Sequence, residues 1–199
     1  MTAASFDLTP AERDLTGPGE FTTSLRSDGL SKSPAYYNDF TVNGVRLFTL
    51  LNADSSSGLD YVGVIQDAWP VEAVAAIERL LGNAAGDLPD GRLSLYVCPE
   101  CGDLGCGAVT TAIEFETDHV TWRALGWQTD YEDTLAPITD DGSFPDMTFE
   151  REGYEQTLRR ELARLKPMAE QFEYPYQRQR RLRRERLRRH VTRWLPRRR

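Results

Sequence analysis

Apolar and polar positions begin to follow a regular period near Tyr36. Residues 37–42 and 45–51 flank the dipeptide Asn43-Gly44. Both central positions of a type I′ turn favour positive φ, so this stretch predicts a β-hairpin. Tyr61, Val62, Val64 and Ile65 make a short apolar strand after the Ser55-Ser56-Ser57-Gly58 loop. Asp67 is placed to cap a helix and Pro70 suits its first turn. That helix runs to about Leu81, with Val74, Ile77 and Leu81 on one face, and Gly82 closes it.

The period then changes. Residues 93–98 read as a strand, and residues 108–116 alternate Val109, Thr111, Ile113 and Phe115 against Ala108, Thr110, Ala112 and Glu114. This is the pattern of a half-buried strand. After a turn at Thr117-Asp118, Val120, Trp122 and Ala124 carry the alternation toward Trp127. An acidic loop follows over residues 128–147. Tyr154, Leu158, Leu162 and Leu165 then mark an amphipathic helix with Arg159, Arg160 and Arg164 outside it, which Pro167 is expected to end.

These elements predict an α+β fold: an antiparallel sheet of five or six strands, two packed helices and a basic C-terminal helical tail. Residues 1–34 lack a sustained period and read as a flexible N-terminal arm with one short helical turn after Thr9-Pro10. Residues 35–166 form the α+β domain, and residues 167–199 a linker and arginine-rich tail.

Composition adds limits. With 199 residues, 40% hydrophobic and 28% charged, the chain matches globular usage. No apolar run is long enough for a membrane span. The first residues carry neither a basic nor an apolar signal region, so the cytoplasm is the expected compartment and the thiols are expected to stay reduced.

The net charge of −7 conceals a division. Residues 177–199 hold twelve Arg and one Glu, a net +11; the rest holds twelve Lys plus Arg against thirty Asp plus Glu, a net −18. Leu187, Val191 and Trp194 recur at helical spacing within the tail. A basic helix of this kind suits an anionic lipid surface or nucleic-acid phosphates. Arg180, Arg181, Arg183, Arg184, Arg188 and Arg189 are the candidate polyanion contacts, with Trp194 available for base stacking. The competing reading is a solvated terminus partly neutralised by the acidic loop.

Chemistry concentrates elsewhere. All three cysteines lie in Cys98-Pro99-Glu100-Cys101-Gly102-Asp103-Leu104-Gly105-Cys106, and three readings compete for them. The first is a zinc knuckle, because Cys-Pro-x-Cys-Gly supplies two thiolates on a tight turn. Cys106 would be the third ligand and Asp103 the local candidate for the fourth. His119 is too distant, since about ten extended residues span roughly 33 Å. The second is a redox dithiol, Cys98 with Cys101, and Cys106 as resolving thiol. Such pairs usually sit at a helix N-terminus or beside a cation. Here the residues that follow favour a strand, and Glu100 and Asp103 are acidic. The third is a plain turn between two strands.

The stretch from Tyr96 to Gly107, with Ile113-Glu114 and Val120-Thr121-Trp122, resembles a group of small uncharacterised bacterial proteins. They share a CPxCGDxxCG strand-turn-strand motif, and some bear the label "oxidoreductase". The resemblance covers about residues 36–166 and implies no catalytic residue. The chain lacks a Gly-x-Gly-x-x-Gly loop, so any redox activity would rest on the thiols.

Glu114 and Glu116 share a strand face near His119, an arrangement that an exposed strand explains. No nucleophile elbow, phosphate loop or His-Glu-x-x-His helix is present. The sequence therefore favours a non-catalytic binding or regulatory module over a thiol oxidoreductase acting through Cys98 and Cys101. No organic cofactor is expected, and zinc is the metal the cysteines would suit.

Overall fold

A computed structural model describes residues 3–13, 34–52, 60–132, 134–138 and 144–194, with side chains through Arg186. Most of the expected N-terminal arm, the Ser55-Ser56-Ser57-Gly58 loop and residues 139–143 of the acidic loop lie outside the described residues.

The fold is α+β. Strands β4 (Val62–Gly63), β5 (Leu93–Val97), β6 (Ala108–Phe115), β7 (His119–Gln128) and β8 (Met147–Glu150) form one antiparallel sheet in that order. Strands β1 (Phe6–Glu12), β2 (Tyr36–Val42) and β3 (Val45–Arg46) form a second. Among the described residues, the α-helices are α1 (Leu47–Asn52), α2 (Pro70–Leu80), α3 (Arg151–Gln171) and α4 (Pro175–Trp194).

The first strand corrects the reading of the N-terminal arm. The residues around Thr9-Pro10 form no helical turn; they extend and pair with β2, from Phe6 opposite Val42 to Glu12 opposite Tyr36. Proline is tolerated because β1 is an edge strand. Phe6 supplies the reason for docking. Its ring lies 4.6 to 6.4 Å from the centroids of Tyr154, Phe149, Trp122 and Phe40, which join both sheets and α3. The core of the expected 35–166 domain thus includes a residue from the arm.

Asn43 and Gly44 adopt φ of 51° and 79°, as the hairpin turn requires. Its second arm is short. After β3 the chain coils into α1, because Leu47 and Leu51 are four apart and both fully buried. Helix α2 lies where the period places it and buries Ala73, Ala76, Ile77 and Leu80. Trp69, not Asp67, is its N-cap, with no side-chain hydrogen bond. Asp67 is drawn away to the guanidinium of Arg164 in α3.

Strand β6 departs from simple alternation: its first four residues are all buried. Arg92 covers Thr110, donating to its Oγ1 and its carbonyl at 3.0 Å each and to the Ala124 carbonyl at 2.5 Å. Strand β8 emerges from the end of the expected acidic loop, where Met147 and Phe149 are buried against β7. Pro167 does not end α3, which continues to Gln171. The missing amide falls past Leu165, the last buried residue of that helix, where the lost hydrogen bond faces solvent. Two of the polar links between α3 and the rest are buried and centre on Tyr154. Trp122 Nε1 donates to the Tyr154 hydroxyl at 3.2 Å, and that hydroxyl donates to the Leu80 carbonyl at 2.9 Å.

Candidate metal centre

The cysteines occupy the connection between β5 and β6, adjacent antiparallel strands with Val97 opposite Ala108. Backbone chemistry folds this connection back on itself. The Gly102 amide donates to the Cys98 carbonyl at 2.9 Å, closing a turn around Pro99 and Glu100. Gly102 takes φ of +65°, which its lack of a Cβ permits. A single 3₁₀ turn, Leu104–Cys106, follows, and the Asp103 carboxylate caps it by accepting from the Gly105 amide at 2.8 Å. Gly107 then leads into β6 with φ of +90°; a Cβ there would lie 2.2 Å from the Trp127 ring. That ring is held by a hydrogen bond from its Nε1 to the Tyr61 hydroxyl at 2.7 Å.

The result is a cluster of sulfur. The Sγ atoms of Cys98, Cys101 and Cys106 all lie within 4.8 Å of one another, and Cys101 and Cys106 approach to 3.4 Å. Cys101 and Cys106 are exposed and Cys98 is half-buried. Three thiolates on a tetrahedral zinc ion, with Zn–S near 2.3 Å, stand about 3.8 Å apart. The observed spacing brackets that value, so the three side chains fit such an ion with little rotation.

Asp103 is not part of this group, which contains the three cysteines alone among the described residues. Its carboxylate is committed to the cap, which is why the expected fourth ligand is not at hand. His119 pairs with Glu150 in β7 and β8, beyond the distal end of β6, and also stays outside the group.

Electrostatics around the loop include a residue the sequence does not point to. Arg13, just past β1, is 4% exposed and forks onto Asp60, with Nε donating to Oδ1 at 2.9 Å and NH2 to Oδ2 at 2.8 Å. Its NH1 donates to Glu100 Oε1 at 2.6 Å. The hydrogen bonds to Asp60, more than those to Glu100, raise the Arg13 pKa further and outweigh burial. The cation thus reaches the knuckle but is spent on carboxylates. Its signal is hidden because residue 13 meets Glu100 only once β1 has paired with β2. Burial raises the Tyr61 pKa, and the neighbouring Cys98 and Cys106 add to the rise.

The basic tail is helical through Trp194. Among the described residues, Arg180, Arg183 and Arg184 of α4 are exposed and make no ion pair. Arg181 is engaged by Glu173 at 2.9 Å and Glu185 at 3.2 Å. Arg188, Arg189 and Trp194 belong to α4, and their side chains lie outside the described residues. Among the described residues, no helix is long and apolar enough to cross a membrane.

Comparison of the chain with protein-family models, curated proteins and solved structures finds no match.

Proposed function

We propose that the protein is a non-catalytic binding module in which Cys98, Cys101 and Cys106 hold one zinc ion as thiolates, with a fourth position open at the surface. The observation that carries this reading is the convergence of three sulfurs within 4.8 Å on a loop with two exposed cysteines. Thiolates are the ligands that zinc prefers at structural sites, and the Cys98-x-x-Cys101-Gly102 turn supplies two of them from one short segment.

Catalytic zinc also keeps an open position, but it works with a nearby acid or base. Of the carboxylates near the loop, Glu100 is committed to Arg13 and Asp103 to the Gly105 amide, while Asp130 Oδ1 lies 3.6 Å from the Gly105 Cβ position. We read the open position as suited to a water or a donor atom from a bound partner. Thiol–disulfide catalysis, the activity that the oxidoreductase label suggests, has less support. The chain after Cys101 enters a three-residue 3₁₀ turn that carries Cys106 at its far end, in place of the α-helix N-terminus that lowers a thiol pKa in working redox pairs.

A second contact rests on a separate observation: among the described residues, Arg180, Arg183 and Arg184 of α4 are exposed and make no ion pair. Among the described residues, Arg181 of this helix pairs with Glu173 and Glu185, its near neighbours along the chain. This leaves the helix suited to a polyanion.

Elemental analysis of the full chain, purified under reducing conditions without added metal, tests the main reading. About one zinc per chain is expected, falling to near zero in Cys98→Ser and Cys101→Ser. Folded wild-type protein that carries no metal and takes up none from micromolar zinc would contradict it.

A further inference from the structure

We infer that Cys101 and Cys106 form an oxidisable pair, so that a hydroperoxide closes a Cys101–Cys106 disulfide and leaves Cys98 as a free thiol. The crosslink follows from the sulfur geometry; its effect on a bound ion rests on the zinc reading.

Spacing in the sequence points to Cys98 and Cys101, the two ends of a Cys-x-x-Cys. The fold selects a different pair. Cys101 and Cys106 are the two exposed cysteines, and their sulfurs are 3.4 Å apart. A disulfide needs about 2.05 Å between sulfurs, so closure asks for a movement of roughly 1.4 Å, within the reach of side-chain rotation on a surface loop. The loop between them contains Gly102, at φ of +65° with no atom within 4 Å of a Cβ position, so it has room to adjust. Cys98 is less accessible, and its carbonyl is fixed by the Gly102 amide at 2.9 Å.

The chemistry balances with the peroxide as sole oxidant. One thiolate sulfur attacks the peroxide O–O bond, which breaks; a sulfenic acid forms and the other oxygen leaves as water or alcohol after taking a proton. The second thiolate attacks the sulfenyl sulfur, the S–O bond breaks, and hydroxide leaves and is protonated to water. Two thiols are oxidised by two electrons in all, and one peroxide is reduced. A disulfide sulfur is a poor zinc ligand, so the reaction would remove two of the three ligands and release the ion. This is a stoichiometric response and needs no helix dipole to turn over.

The test uses the full chain in metal-free and zinc-loaded forms. Each is treated with hydrogen peroxide, blocked with iodoacetamide and cut after Glu100 and Asp103, which places the three cysteines on three peptides. Mass spectrometry is expected to find Cys101 joined to Cys106 and Cys98 alkylated, with free thiols falling from three to one per chain. The crosslink should persist in Cys98→Ser and vanish in Cys106→Ser, and the zinc-loaded form should release its zinc in step. A dominant bond to Cys98, sulfinic acid without an intramolecular bond, or thiols that survive excess peroxide would overturn the inference. Protein that forms the crosslink but never holds zinc would contradict the metal reading alone and sustain this one.

Discussion

Asp39 is fully buried in β2, where it accepts the Tyr96 hydroxyl at 2.5 Å, with Tyr37 and Arg46 as its other charged or titratable neighbours. Burial raises its carboxyl pKa, outweighing the lowering effects of the Tyr96 hydrogen bond and Arg46. A folded-state pKa above the unfolded one stabilises the fold fully at pH below the unfolded value, and that contribution is lost as pH rises through the folded value. Asp39→Asn keeps an acceptor for Tyr96 and removes the titration. Urea midpoints measured between about pH 4 and pH 8 are therefore expected to fall with rising pH in the wild type relative to Asp39→Asn. Parallel curves would contradict this account of Asp39. The residue scale also shows what the sequence could reveal of the site. Three cysteines in one short stretch mark it plainly, and glycines mark the turns. Arg13 and the Tyr61–Trp127 pair leave no trace, because each is separated from the loop by tens of residues and joins it only through strand pairing.

Among the elements, α3 poses the clearest question, since it carries Pro167 inside. The proline removes the amide that would bond to the Ala163 carbonyl, and only exposed or half-buried residues follow it. Pro167→Ala should therefore raise stability by about 1 to 3 kcal/mol, read from thermal or urea unfolding. Unchanged or reduced stability would contradict this account of Pro167. Element boundaries were legible where one period dominated, as in α2 and β7. They were not where two signals overlapped. Residues 45–51 alternate well enough for a strand, yet Leu47 and Leu51 satisfy a helix and bury better that way. Strand β1 was hidden by Pro10, whose breaking effect an edge position cancels. Strand β8 is short and hides behind acidic residues.

At the scale of the whole molecule, the α+β class and the separation of acidic body from basic tail both follow from pattern and charge. The second sheet does not, because it depends on Phe6 reaching the aromatic cluster of Trp122, Phe149 and Tyr154. If α4 binds a polyanion, affinity for duplex DNA should fall linearly on a log–log plot against salt, with a slope of about −0.9 for each phosphate neutralised. Removing residues 177–199 should abolish that binding; equal binding by the truncated chain would exclude the helix as the contact.

The central claim is that the fold gathers three thiolates around one ion. Cobalt(II) titration of the metal-free, reduced chain addresses it most directly, because thiolate-to-cobalt charge transfer and the intense visible bands of a tetrahedral site report ligand type and geometry together. The account predicts that both signals saturate at about one cobalt per chain, are displaced by zinc and disappear in Cys98→Ser. A spectrum that stays that of hydrated cobalt throughout the titration would contradict it.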